Sequence, residues 1–131
     1  LAAVEAACAG FRSPDAATRA SAEQTLLAFR RAKGVSQACV HILSAPSATP
    51  DAAFHAAATL REAALRDWSA IPPAERAGLR DFALRYLLSR PPPPAAAAQV
   101  RGLLALLLKR AWLDPPPGEG GGGGGGGGVG A

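Results

Sequence analysis

The stretch Phe54–Trp68, FHAAATLREAALRDW, restricts the fold of this chain more than any other segment. Projected at the helical period, Phe54, Ala58, Leu65 and Trp68 form one stripe, with Ala53, Ala57, Leu60 and Ala64 beside it. Together they describe an apolar arc of roughly 160°. One neighbouring helix covers less than that, so this helix must touch two or more, which points to a stacked array. His55, Thr59, Glu62 and Arg66 share the opposite, polar side. Arg61 falls inside the apolar arc. A buried, unpaired guanidinium is costly, so its stem is expected to pack while its head reaches Glu23 or Asp81, or solvent.

Helical punctuation recurs along the chain. Ser13-Pro14-Asp15 reads as a cap, a proline at the first helical position and an acid in the first turn, and Thr49-Pro50-Asp51 repeats it. The patterns place helices at about 1–10, 14–32, 35–44, 50–67, 73–90 and 96–112, with no convincing period-two alternation. The long helices end near Phe29-Arg30, near Trp68 and near Trp112, landmarks 39 and 44 residues apart. Helical hairpins at a period of about 40–47 residues are the signature of HEAT or armadillo repeats. Such hairpins are too thin to bury their own faces and rely on their neighbours. The expected fold is therefore all-α, a solenoid of about three HEAT-type hairpins over residues 1–114. Residues 115–131, with PPPGE and nine consecutive glycines at 120–128, are expected to be a disordered low-complexity tail. Trp68 and Trp112 are expected to plug the ends of hairpins. Leu79, Phe82, Ala83 and Tyr86, with Leu84 and Leu88 on a second side, show the same two-sided habit as the 54–68 helix.

Charge and composition exclude more than they select. Residues 1–113 hold all 14 basic side chains and 8 of the 10 acids, a formal +6. That excess fits an acidic partner or surface, and it equally fits a coding bias, since twelve of the fourteen basic residues are arginine. Arg30, Arg31 and Lys33 cluster at one helix end, and Arg76, Arg80 and Arg85 recur along another. No aromatic is interleaved with them for base stacking, so direct nucleic-acid binding is not expected. His41 and His55 are too far apart for a helical metal pair, and Cys39 with His41 lacks further ligands. No nucleophile has a base and an orienting acid at workable spacing. The glycine run lacks the Lys-Ser/Thr of a phosphate loop. Neither an enzyme, a metal nor a cofactor is expected. Cys8 and Cys39 read as small buried hydrophobes. LAAVEAACAG does not read as a signal peptide, and the longest apolar run, LLALLL at 103–108, is far below a membrane span, so no membrane is expected.

In order and spacing, AEQTLLAFRRAKG, ACVHIL, FHAAATLREAALRDW, LRDFALRYLLSRP and QVRGLLALLLKRAWLD resemble the N-terminal end of receptors of the importin-β (karyopherin) superfamily, over about residues 20–114. The most specific pieces are AEQTLLAFR, A-x-L-R-E-A-x-L-R-D-W and KRAWLD. The resemblance implies a nuclear transport receptor built of HEAT hairpins, regulated by Ran in its GTP-bound state and shuttling between nucleus and cytoplasm. It implies that the second helices of the hairpins line a concave surface that holds Ran. Protein cargo would be taken by repeats outside this chain, with nuclear pore proteins as further partners. Carried onto this chain, the Ran-facing residues would be Glu23, Arg30 and Arg31 in the first hairpin. His55, Thr59, Glu62 and Arg66 would serve in the second, and Arg101 and Lys109 in the third. The residues by themselves also fit a generic α-solenoid scaffold for proteins or peptides, a truncated product without function, or a basic helical nucleic-acid binder.

Overall fold

The computed structural model describes residues 1–89 and 91–113. Six helices follow in chain order: α1 (Ala2–Phe11), α2 (Ala16–Arg31), α3 (Val35–Ser44), α4 (Pro50–Arg66), α5 (Pro73–Leu88) and α6 (Pro94–Leu113). A 3-10 turn at Trp68–Ala70 joins α4 to α5. No strand occurs among the described residues. The boundary at 114 and the glycine tail lie outside them.

Local chemistry sets the helix ends. At α4 the expected signal holds: Thr49 is extended (φ −70°, ψ 160°), its Oγ1 accepts from the Ala52 amide at 3.2 Å, and Pro50 opens the helix. At α2 the cap is two residues later than expected. Asp15, not Ser13, accepts from the Thr18 amide (3.0 Å) and from its hydroxyl (2.6 Å), while Ser13 Oγ accepts from the Asp15 amide at 3.1 Å. A carboxylate is the stronger acceptor for orphan first-turn donors, so Pro14 is left outside the helix. Gly34, at φ +70°, turns the chain from α2 into α3, a conformation a side chain would strain. Pro94 opens α6 two residues earlier than the pattern implied, because a first-turn residue needs no intrahelical amide bond.

The helices pair as α1 with α2, α3 with α4 and α5 with α6, giving three stacked hairpins in a HEAT-like array. The second and third hairpins join chiefly through α4 on α6, with a lighter contact between α3 and α5. The first hairpin meets the second more sparsely, through α1 on α4 and α2 on α3. Small residues permit the close approaches: a Cβ at Gly10 would sit 2.9 Å from Ala22 Cβ, so α1 and α2 need a glycine there.

The core runs along α4. Ala52, Ala53, Ala56, Ala57, Thr59, Leu60, Ala63 and Ala64 are buried, and Trp68 follows in the turn. These positions span about half of the helix circumference, as wide an arc as expected, but turned by about a quarter of a circumference. Its centre is the alanine ridge against α3 and α6, where small side chains let both helices come close. The stripe of Phe54, Ala58 and Leu65 is therefore not the core: Phe54 and Ala58 are half-buried and Leu65 is 55% exposed. Thr59, expected on the open polar side, is 1% exposed, and its Oγ1 is buried without a hydrogen-bond partner.

Two further expectations are corrected. Trp68 does close its hairpin, with the Arg76 guanidinium 4.1 Å from its ring centroid and donating to its carbonyl at 2.6 Å. Trp112 plugs nothing among the described residues; it is 86% exposed on the side of α6 turned away from the buried seam. Arg61 sits at the edge of the buried arc and reaches neither Glu23 nor Asp81. Its Nη1 donates to Gln99 Oε1 at 3.3 Å, and its head lies over Gly102, where a Cβ would come within 2.7 Å of the guanidinium carbon. Gly102 weakens the interior of α6 and opens the seat that Arg61 occupies. On α5, Leu84 and Leu88 are exposed, while Phe82 and Ala83 are buried.

Candidate functional site

The residues singled out from sequence do not form one site. Arg30 on α2 and His55 and Glu62 on α4 come together across the groove between the first and second hairpins. Arg30 Nη2 lies 3.5 Å from His55 Nδ1, and Arg30 Nη1 lies 4.0 Å from Glu62 Oε2. A guanidinium has no acceptor, so Nδ1 accepts and the ring is neutral with its proton on Nε2. Phe11 of α1 stacks on the imidazole at 6.2 Å with planes 9° apart, and Phe54 meets it edge-on at 5.4 Å. Burial and the Arg30 charge hold the His55 pKa below its usual 6.5. Arg30 Nε is buried without a partner, so part of its donor capacity is unused.

A neutral, half-buried imidazole beside a cation makes this joint sensitive to acid. The sign follows from linkage: a depressed folded-state pKa means that the unfolded chain takes up the proton first. The contribution is complete above pH 6.5 and declines as pH falls from there towards the folded value. Titration by imidazole NMR is expected to place His55 below 6.5, and His55→Phe is expected to flatten the stability profile below pH 6.5.

The other residues separate into two groups. Arg31 and Arg66 line one open cleft at the α2–α3 and α4–α5 turns, together with Lys33, Asp67 and Glu75. Asp67 takes both guanidinium nitrogens of Arg66, at 3.2 Å to Nε and 3.1 Å to Nη2, which raises the arginine pKa further. Glu23, Arg101 and Lys109 are exposed. Glu23 lies two turns before Arg30 on the same side of α2, whereas Arg101 and Lys109 are about 80° apart around α6. Thr59, being buried, is removed from the contact surface.

Sequence reasoning missed the apolar members of this surface. Leu27 on α2 and Leu65 on α4 are 38% and 55% exposed. They stand beside the charged residues, as apolar anchors do within polar rims. The signal was present in Leu65 itself, a large residue adjoining Arg66, but it was assigned to the core because the alanine ridge carried no bulk to compete with it. Burial makes the two cysteines inert: Cys39 is pushed up to about 12 and Cys8 is raised. No helix among the described residues is long and apolar enough to cross a membrane.

Arginines and carboxylates thus remain accessible or half-accessible on α2 and α4 beside exposed Leu27 and Leu65, with Arg101 and Lys109 exposed on α6. Residues 22–89, from the middle of α2 to the end of α5, match the importin-beta N-terminal domain family. That span holds seven of the nine residues assigned above, leaving out Arg101 and Lys109. With the match covering half of the sequence and the helical hairpins stacked as that family requires, the chain belongs to the importin-β (karyopherin) superfamily of nuclear transport receptors.

Proposed function

We propose that this chain is the N-terminal, Ran-GTP-binding part of an exportin, of the kind represented by exportin-4, and that it takes part in nucleocytoplasmic protein transport. The ordered segments from AEQTLLAFRRAKG to QVRGLLALLLKRAWLD support the exportin-4 reading. The observation that carries the Ran reading is the mixed-charge row on the second helices of the hairpins. Glu23 and Arg30 on α2 and Glu62 and Arg66 on α4 remain accessible or half-accessible, beside exposed Leu27 and Leu65. A GTPase switch surface is met by charge-assisted pairs around a few apolar anchors. Shuttling between nucleus and cytoplasm, contact with nuclear pore proteins and cargo binding by other repeats belong to the same proposal.

Titration calorimetry of the chain with Ran loaded with GTP or GDP tests it. Preferential binding of the GTP form is expected, with charge reversal at Arg30, Glu62 and Arg66 weakening it by about tenfold or more while circular dichroism stays unchanged. Equal affinity for both nucleotide states, or none for either, rejects the Ran assignment. The exposed Leu27 and Leu65 favour one second reading, a peptide-binding α-solenoid scaffold. Under that reading Leu27→Ala and Leu65→Ala abolish partner capture, and the nucleotide on Ran makes no difference.

A further inference from the structure

The joint between the first and second hairpins differs in kind from the joint between the second and third. The latter has an apolar centre, with Leu60, Ala64, Val100 and Leu103 buried on α4 and α6, and the uncharged Gln99 meets Arg61 at its edge. The former is fastened at one end by charge. Glu5 of α1 reaches across to the start of α4, accepting from the Thr49 amide at 2.8 Å and from the Thr49 hydroxyl at 2.6 Å. These bonds hold its carboxyl below the usual glutamate range. Beside them Arg12, at the end of α1, pairs with Asp51 in the first turn of α4. Thr49 is exposed, extended, and followed by Pro50.

We propose that Thr49 is a phosphorylation site for a proline-directed Ser/Thr kinase, and that the phosphate unlatches the first hairpin from the second. The exposed, extended Thr-Pro step is the substrate such a kinase takes. In the transfer, Thr49 Oγ1 forms a bond to the γ-phosphorus of ATP, the bond from that phosphorus to the ADP oxygen breaks, and the hydroxyl proton leaves to the kinase base. Three consequences follow at the joint. The modified oxygen no longer has a proton to donate to Glu5. A charge of about −1.5 to −2 is placed against a carboxylate. One side-chain cation, the Arg12 guanidinium, stands against Glu5, Asp51 and the phosphate, so negative charge is in excess. The helix that carries Thr49 does not share the penalty. A phosphate at its N-cap still accepts from first-turn amides and favours the positive end of the helix dipole. The site thus separates two effects: α4 stays folded and α1 lets go.

Ser13-Pro14 supplies an internal contrast. Ser13 Oγ serves only its own turn, and Arg19 Nη1 donates to the Ser13 carbonyl at 2.8 Å. Arg12 and Arg19 flank it, and its hydroxyl accepts from its own turn rather than bonding to the other hairpin, so a phosphate there breaks no bond between the hairpins.

The test treats the full 131-residue chain with a proline-directed kinase and ATP, locates phosphate by mass spectrometry, and compares amide hydrogen exchange before and after. Phosphate is expected on Thr49, with protection of Ala2–Phe11 falling by about tenfold or more and that of α4 and α6 holding within about twofold. In Glu5→Gln, which removes the charge and keeps one of the two acceptor oxygens, phosphorylation is expected to change α1 protection by less than about threefold. Absence of phosphate from Thr49, or incorporation confined to Ser13, overturns the site. Incorporation at Thr49 that leaves α1 protection unchanged, or lowers it as much in Glu5→Gln, overturns the unlatching.

Discussion

Truncating Leu60 to alanine is expected to lower the unfolding free energy by about 3 kcal/mol, whereas Leu65→Ala leaves it within about 0.5 kcal/mol. The two leucines stand five residues apart on the same helix, and the sequence pattern places both in the apolar arc. Leu60 is 0% exposed and Leu65 is 55% exposed. Leu60 lies on the ridge where α3 and α6 both close on α4. Removing its outer carbons there forfeits the transfer energy of about 0.8 kcal/mol per methylene and leaves a cavity that small neighbours cannot fill. At Leu65 the same atoms already meet solvent. Urea denaturation of the two variants at equal concentration checks the contrast. Equal losses would show that the buried arc of α4 is centred on the large residues after all.

Trp68→Ala is expected to remove about 3–4 kcal/mol, and Trp112→Ala close to nothing. Trp68 is 5% exposed and serves two elements at once. Its ring carries the Arg76 guanidinium at 4.1 Å, with Arg110 of α6 at 6.0 Å, and its carbonyl takes the Arg76 Nη2 bond. Without the ring, Arg76 keeps a bonded head group but loses its packing surface, and its buried Nε still has no acceptor. The turn between α4 and α5 then loosens together with the seat of α6. Because the chain has two tryptophans, fluorescence separates them. Trp112→Phe should leave a blue-shifted emission that resists acrylamide quenching, and Trp68→Phe a red-shifted emission that is readily quenched. The reverse assignment would exchange the roles of the two residues.

What could be read from residues alone follows the strength of each local signal. Thr49-Pro50-Asp51 named a helix start correctly because the cap, the fixed proline torsion and the first-turn acid all act within four residues. At Ser13-Pro14-Asp15 the same kind of signal gave the start two residues early. Two acceptors competed for the first-turn amides there, and the carboxylate prevailed. Of the site, Arg30, His55 and Glu62 meet across the groove, but Thr59, between the last two on the same helix, is buried. The difference is a rotation of that helix by about a quarter of a circumference, and nothing local reports it. Arg61 failed for a related reason. Its partner, Gln99, is uncharged and 38 residues away, and the opening that admits it is a missing side chain, Gly102.

The residue order by itself determined six helices, their pairing into hairpins at a repeat period, and the superfamily, since caps, proline positions and apolar spacing are short-range and the matching segments are continuous. The tertiary structure alone decided which side of each helix is inside. A helix with an alanine ridge has no large side chain to mark its core, so its azimuth is settled by which neighbours can approach most closely. That choice buried Thr59, freed Leu65 and Trp112, and left Glu5 to latch the first hairpin to Thr49 on the second.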